Sequence, residues 1–168
     1  MATPTYIPLA ELTLAAPTDL VVFGSISQDY SDLVMVVEQT GASGNTSIRM
    51  TLNGADTNYS NVYLAGNGSS NQSGKNSGYT RIQVGGFLEY ASVGNLQSAY
   101  SHIIDYSATD KYKTVLSRSY VGAGAGAGLS LWCGSWENTS AVTSVSILSA
   151  DYAVGSTFKL FGIHGEVA

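Results

Sequence analysis

Charged side chains are scarce in this sequence. Asp, Glu, Lys and Arg make up 11% of its 168 residues, against about 25% in ordinary soluble domains. Serine, threonine, asparagine and 19 glycines take their place, and the net charge is −5. Only Lys111, Lys113 and Arg118 fall close together, with Asp105 and Asp110 beside them, so the clustered cations that displace phosphate counterions are missing. This composition excludes a nucleic-acid partner and favours permanent assembly or contact with neutral polar partners such as sugars.

Long apolar runs and cysteines are also lacking. No stretch approaches the roughly 18 consecutive apolar residues of a membrane span, and the first residues lack the basic and apolar regions of a signal peptide. Cys133 is the sole cysteine, so no disulfide within the chain is expected, and its neighbours Leu131 and Trp132 favour a buried, unreactive thiol. One cysteine and two histidines are too few for the usual zinc sites. We therefore expect neither a metal nor a cofactor.

Helical periodicity does not persist for three turns anywhere in the chain, whereas short β-type runs recur between glycine, proline and Asn-Gly breaks. Regularly spaced short strands of this kind predict an all-β, two-sheet antiparallel jelly-roll-like β-sandwich of about ten strands. We expect a single domain over residues 1–168 with an extended N-terminal arm over about residues 1–9. The predicted strands are Tyr6–Leu14, Leu20–Ile26, Leu33–Glu38, Thr46–Asn53, Asn61–Ala65, Thr80–Val84, Ser98–Tyr106, Tyr112–Ser119, Leu129–Gly134, Val142–Leu148 and Thr157–Ile163.

The apolar pattern within the runs predicts which faces are buried. Ile48, Met50 and Leu52 alternate with polar residues, which indicates a strand with one buried and one wet face. The run Leu33–Val37 is apolar throughout and predicts a central strand that is covered on both sides.

Two segments are predicted to be loops. Gly66–Gly78 is long, polar and almost free of apolar residues, and such a loop is either a mobile surface tip or a contact loop. Gly122–Gly128 alternates strictly between glycine and alanine. It would either lie flat against a neighbouring subunit or form a flexible hairpin connection.

Catalytic groups are not recognisable in this sequence. Ser101, His102 and Asp105 lie near one another, but on a strand Ser101 and His102 point to opposite faces, so a shared hydrogen bond is not expected. His164 lies beside Glu166 near the C-terminus. We therefore expect no enzyme activity and a structural role for His102. A cleft in which His102 meets an ionisable partner would contradict this interpretation.

Carbohydrate or partner binding is the more credible chemistry. Sugars bind through amide side chains and the faces of aromatic rings, and such residues cluster around the polar segment and after the Cys133 strand. The opposing interpretation is that tyrosines on sandwich strands are partly buried in packing. The turn Asn53–Asn58 offers some oxygen ligands for calcium, but its composition equally fits turn conformation. The candidate contacts are Tyr59, Tyr63, Asn67, Asn71, Tyr79, Trp136 and Asn138.

Several segments resemble, in the same order, those of small β-sandwich proteins and domains from tailed bacteriophages. The resemblance spans nearly the whole chain and implies a virion structural protein, either free-standing or a terminal domain of a fibre-like protein. It implies no catalytic or binding residues, and the Gly122–Gly128 stretch departs from it. The segments are Tyr6–Ala10, Tyr30–Val34, Ile48–Gly54, Asn58–Ser60, Gly66–Ser70, Ile104–Ser107, Lys113–Arg118, the Trp136 segment before Val142–Leu148, and Gly155–Ile163.

Two functions are therefore expected. The first is a capsid decoration (knob or cement) protein on the exterior of the phage particle, which binds the major capsid protein or other virion proteins as a homotrimer or as isolated copies. The second is a lectin-like receptor-binding tip of a tail fibre or baseplate, which binds host surface glycan and requires an exposed Tyr59, Tyr63 or Trp136. A carbohydrate-active enzyme is a weaker third hypothesis.

Overall fold

Extended backbone makes up the regular structure of this chain. The computed structural model describes residues 5–42, 47–86, 93–122, 124 and 127–164, and over these residues it contains twelve β-strands. Within the same residues, no helix has the length and apolar character that crossing a membrane requires. The strands are β1 (Tyr6–Thr13), β2 (Thr18–Phe23), β3 (Asp32–Gln39), β4 (Ile48–Leu52), β5 (Tyr59–Gly66), β6 (Asn71–Tyr79), β7 (Ile82–Gly85), β8 (Gln97–Ile104), β9 (Lys113–Val121), β10 (Gly128–Trp136), β11 (Val145–Tyr152) and β12 (Thr157–Ile163).

The described strands form two antiparallel sheets that pack face to face. The larger sheet has eight strands in the order β1-β12-β3-β8-β9-β10-β5-β6, and the smaller has four in the order β2-β11-β4-β7. The predicted fold, a two-sheet antiparallel β-sandwich, is confirmed.

The hydrophobic core lies between the sheets and follows the predicted alternation. Ile48, Met50 and Leu52 of β4 are fully buried, while the residues between them are partly exposed. Each such side chain contributes about 1.5–3 kcal/mol when it leaves water. The run Leu33–Val37 lies in β3 between β12 and β8, and its members are buried except for the partly exposed Val36. The prediction of a central strand is confirmed, and its outer face is buried at Val34 but partly exposed at Val36.

One prediction about a loop is wrong. The segment Gly66–Gly78 is a β-hairpin rather than a long loop, because β6 pairs with β5 by backbone hydrogen bonds that need no apolar side chains. Its turn is closed by Asn67, whose Oδ1 accepts the N–H groups of Ser69 and Ser70 at 3.1 and 2.8 Å. The strand predicted over Tyr6–Leu14 is confirmed as the edge strand β1, which pairs with β12 and includes the second half of the predicted N-terminal arm; residues 1–4 of that arm lie outside the described residues.

The two sheets approach each other closely at Gly134. Gly134 of β10 faces the core, and a Cβ added there would overlap the side chain of Ile82 in β7. Since protein interiors are packed at the density of organic crystals, this position has no room for a larger residue.

Candidate functional site on the outer face of the larger sheet

Strands β9 and β10 turn their small polar residues toward the core. Ser117, Ser119 and Ser130 are all buried, and the Ser117 hydroxyl donates to the carbonyl oxygen of Val84 in the smaller sheet at 2.8 Å. Because successive side chains on a strand point to opposite faces, Leu116, Leu129 and Leu131 beside these serines point outward. The two strands therefore carry apolar side chains on both faces, since Val115, Val121, Trp132 and Trp136 are buried on the inner face.

Strand pairing brings the outward apolar side chains together. Leu131 of β10 pairs with Leu64 of β5 on one side and with Arg118 of β9 on the other. Residues paired in register share a face of the sheet, so the side chains form a continuous patch of the kind that usually marks an interaction surface. Six side chains make up this surface, called here the apolar face: Val62 (57% exposed), Leu64 (58%), Leu116 (45%), Tyr120 (58%), Leu129 (53%) and Leu131 (49%).

Arg118 lies among these side chains. Its guanidinium carbon lies 4.7 Å from the centroid of the Tyr100 ring on β8, and the two residues are register partners. Such a contact between a cation and an aromatic face fixes the planar guanidinium in place. Among the described residues, no carboxylate lies within ion-pair distance of Arg118.

The strands that carry the apolar face have no acidic residues. β6, β5, β10, β9 and β8 are adjacent in the sheet, and their sequences contain no Asp or Glu. Their exposed charges are Lys75 and Arg118, and the partly exposed His102 lies on β8. This surface is apolar and cationic, whereas the whole chain carries a net charge of −5.

The apolar face is shallow rather than deeply concave. It surrounds an open depression of about 440 Å³, to which Tyr100 and His102 also contribute. A second open depression of about 380 Å³ continues past Tyr120 and Leu129 to Glu38. Small-molecule sites bury most of their ligand in a cleft or cavity, so this shape fits a broad, flat partner better than a small ligand.

Cys133 is exposed, so the prediction of a buried thiol is wrong. The indole of Trp132 occupies the inward position of β10 and is 3% exposed. The next residue must then point outward, and Cys133 pairs with Val62 and Leu116 at the margin of the apolar face.

His102 has an ionisable partner. The interpretation of His102 as a purely structural residue did not predict such a partner. Its Nε2 lies 2.9 Å from Oδ2 of Asp32, and Oδ1 of Asp32 accepts the N–H of Asp105 at 2.7 Å. A carboxylate placed in this way can orient a catalytic imidazole. Catalysis of that kind also needs a nucleophile, and no described serine, threonine or cysteine is hydrogen-bonded to the His102 imidazole.

The Ser101 hydroxyl and the Cys133 thiol are both separated from this imidazole. The Ser101 hydroxyl is buried on the opposite face and is hydrogen-bonded to Ser117 at 2.9 Å, as the alternation predicted. Cys133 is two strands from His102 with Leu116 between them, a separation of about 10 Å across the sheet.

The three basic residues that fall close together in sequence are dispersed in the structure. Lys113 is buried, and its Nζ donates to the carbonyl oxygens of Ala108, Lys111 and Thr139 at 2.7, 2.9 and 3.2 Å. Desolvation lowers the pKa of Lys113. The Lys111 ammonium pairs with Asp105 at 3.1 Å. These contacts form no cationic patch.

The lectin-like hypothesis required an exposed Tyr59, Tyr63 or Trp136, and two of these three side chains are buried. Tyr59 is fully buried and Trp136 is 3% exposed, and their rings stack with centroids 6.2 Å apart. The Tyr59 hydroxyl accepts the N–H of Leu52 at 2.9 Å, and burial raises its pKa to about 12. For Tyr59 the alternative interpretation is therefore correct: this tyrosine of a sandwich strand is buried by packing.

The other five candidate contacts do not form one site. Tyr63 stacks on the indole of Trp132, with ring centroids 4.6 Å apart, while Tyr79 is 47% exposed at the end of β6. Asn67 closes the β5–β6 turn and Asn71 begins β6.

Asn138 lies at the other end of β5. It lies two residues after Trp136, which pairs with Tyr59 at the start of β5. Its Oδ1 accepts the N–H of Ser140 at 2.8 Å. Since β5 runs from Tyr59 to Gly66, about 20 Å separates this amide from those of the turn.

The Asn53–Asn58 turn uses its amide for folding contacts. Asn53 has a positive φ of 53°, and its Oδ1 accepts the N–H groups of Thr143 and Ser144 at 2.8 and 3.1 Å. Its Nδ2 donates to Ala141 at 2.8 Å. Over the part of the chain that the structure describes, no group of three or more His, Cys, Asp or Glu side chains is arranged to hold a metal ion.

The glycine–alanine stretch meets close neighbours at its two ends, a backbone oxygen at Gly128 and the ring of the exposed Tyr120 at Gly122. A Cβ at Gly128 would lie 2.8 Å from the carbonyl oxygen of Gly66, and one at Gly122 would lie 2.8 Å from the Tyr120 hydroxyl. Ala123, Ala125 and Gly126 lie outside the described residues, so both interpretations of the stretch stay predictions.

Fold and site together define an all-β sandwich whose larger sheet presents an apolar, cationic outer face. No family model and no curated protein matches the sequence. Among solved structures, the chain is similar to the crystal structure of the galectin LEC-6 of Caenorhabditis elegans. The identity is 10% over 89% of this chain and 94% of that chain, and the TM-score is 0.36. A likeness of this size carries no inference about function.

Proposed function

We propose that this protein is a non-enzymatic virion structural protein of a bacteriophage, of the capsid decoration type. It binds the major capsid protein on the outside of the particle through the apolar face. The observation that carries the proposal is the continuous outward patch of six half-exposed apolar side chains on β5, β9 and β10. The sequence resembles those of phage β-sandwich proteins, and this resemblance is the reason for proposing a phage particle.

The energetics of the surface support a permanent interface. Apolar surface gains about 25 cal/mol per Å² when it leaves water, and stable interfaces bury about 800 Å² on each partner. Few charges must be desolvated, since 11% of all residues are charged. A surface of this kind suits a protein that binds its site on the capsid permanently.

The number of copies in each particle tests this function. A decoration protein occupies capsomers and is expected in hundreds of copies, and a receptor-binding tip in tens or fewer. Densitometry of purified particles, with the major capsid protein band as the internal standard, measures the ratio. Absence of the protein from washed particles would contradict a virion role altogether.

A lectin-like receptor-binding tip is the second candidate, and one observation favours it. Asn71 and Gln72 line a depression together with Leu64, Leu129 and Leu131. A few polar residues among apolar ones are typical of ligand sites. A glycan array probed with the isolated protein tests it, and binding to none of the host's surface sugars would count against a lectin.

The Asp32–His102 pair has a structural role in this proposal. It ties the start of β3 to β8 and, through the N–H of Asp105, to the turn that follows. Incubation of the pure protein with host polysaccharide tests the enzymatic alternative. Hydrolysis by the wild type that is lost in His102→Ala would overturn the non-enzymatic assignment.

A further inference from the structure

We infer that the apolar face docks a protein surface that places one carboxylate against Arg118 and surrounds it with apolar side chains. The inference rests on the proposed function, because it specifies the chemistry of the capsid surface that the face would contact. Arg118, which is held by Tyr100, would bind the carboxylate. The six side chains of the apolar face would contact the apolar side chains around it.

Charge complementarity identifies the partner's chemistry. Arg118 lies among apolar side chains with no carboxylate of the described residues in ion-pair distance. A flat protein partner would remove this guanidinium from water, and a buried unpaired charge is costly. The partner must therefore supply the counter-charge. Guanidinium groups bind carboxylates with two parallel hydrogen bonds, and arginine and tyrosine are enriched among the residues that dominate binding energy.

A second copy of this chain is disfavoured by the same charges. The five adjacent strands β6, β5, β10, β9 and β8 contain no acidic residue. Two apolar faces in contact would therefore place Arg118 and Lys75 of both copies in one interface whose five strands supply no carboxylate, with Glu38 of β3 only at its margin. Like charges brought together at an interface cost several kcal/mol.

Rebinding to phage particles made without this gene product tests the inference. Purified wild type and variants are added to such particles, and occupancy is measured by gel densitometry over a range of concentrations. Leu131→Lys places a cation in the centre of the face, and Arg118→Met keeps an apolar stem without the charge. We expect each to weaken binding by about tenfold or more, as the loss of a dominant contact does. Arg118→Lys should retain more affinity than Arg118→Met, because it keeps the charge.

A matched control lies on the other side of the molecule. Leu20 is 45% exposed on the outer face of the smaller sheet and Leu131 is 49% exposed on the apolar face. Leu20→Lys should therefore bind within about twofold of wild type. Thermal unfolding of each variant separates a docking defect from a folding defect.

Each outcome supports or overturns the inference. Equal binding of wild type and Leu131→Lys would show that another surface docks, while the proposed function stands. If Arg118→Met binds as tightly as the wild type, the partner does not place a carboxylate against Arg118. Failure of the wild type to bind would overturn the proposed function and this inference together. Concentration-dependent dimers in sedimentation velocity that Leu131→Lys abolishes would assign the face to a second copy instead.

Discussion

Arg118 and Tyr100 are paired in register on adjacent strands, and the guanidinium carbon lies 4.7 Å from the centroid of the tyrosine ring. The ring thus holds a long, flexible cation in one place on an otherwise apolar surface. We expect a coupling of about 0.5–1 kcal/mol between the two side chains in the free energy of unfolding. A double-mutant cycle with Arg118→Ala and Tyr100→Leu, measured by urea unfolding, gives this value. Additive effects of the two substitutions would mean that the contact contributes nothing in solution.

The buried hydroxyl of Tyr59 should make stability depend on alkaline pH. Burial raises its pKa to about 12, against about 10 in the unfolded chain. Between these values the folded state keeps a proton that the unfolded state loses. The contribution is therefore complete below pH 10 and is lost as the pH rises toward 12, by up to about 2–3 kcal/mol. Tyr59→Phe lacks this ionisation and should lose less stability over the same range.

Urea unfolding at half-unit steps from pH 9 upward measures both proteins. The comparison isolates Tyr59, because the other tyrosines are present in each. Tyr59→Phe should be less stable at pH 8 by about 1–3 kcal/mol, since the N–H of Leu52 loses its acceptor. Parallel pH profiles for the two proteins would show that the hydroxyl ionises freely in the folded state.

Gly134→Ala should destabilise the protein although alanine is a better strand residue than glycine. The new Cβ would overlap the Ile82 side chain between the sheets, and overpacking of this kind costs about 1–3 kcal/mol. Thermal or urea unfolding measures the change. Ile82→Ala in the same chain should recover part of the loss from Gly134→Ala, because it empties the space that the new methyl group enters.

A second glycine provides the control for this substitution. At Gly66 the nearest atom to an added Cβ is the carbonyl oxygen of Ser70 at 3.7 Å, which is an ordinary contact. Gly66→Ala should therefore change the unfolding free energy by less than about 1 kcal/mol. Similar losses at both positions would indicate that backbone entropy, and not the close approach of the sheets, sets the cost.

The exposed thiol of Cys133 should react in the native state. Because its sulfur is exposed at the margin of the apolar face, we expect one equivalent of an aromatic disulfide reagent to react without denaturant. Absorbance of the released thiolate measures the rate, and Cys133→Ser gives the blank. On assembled particles the same thiol should react at least about tenfold more slowly if the face is covered. Reaction only after unfolding would place the thiol in the interior.

Hydrophobic periodicity was sufficient to predict most of the fold. It located β4 through Ile48, Met50 and Leu52, and it identified β3 as a central strand, because in these strands apolar side chains face the core. It missed β6, since an edge strand held by backbone hydrogen bonds needs no apolar residue. The Asn67-Gly68 dipeptide is the signal that would have indicated a hairpin there.

The candidate site was not predictable by the same rule. Ser117, Ser119 and Ser130 point inward, while Leu116, Leu129 and Leu131 beside them point outward, so a rule that assigns every apolar residue to the core misplaces these leucines. Aromatic rings next to polar turns suggested Tyr59 and Trp136 instead, and these stack in the interior. The sequence signal for the apolar face was the alternation of leucine with serine in Leu129–Leu131, a pattern that fits either face until the position of Trp132 is known.

The outward leucines of β9 and β10 have a practical consequence for the protein in isolation. Half of each outward leucine is in contact with water, and salts such as ammonium sulfate strengthen the tendency of such surface to leave water. The free protein should therefore be retained on a phenyl column at moderate salt despite its net charge of −5. The same chain should elute early once the face is occupied, so retention reports occupancy of the face.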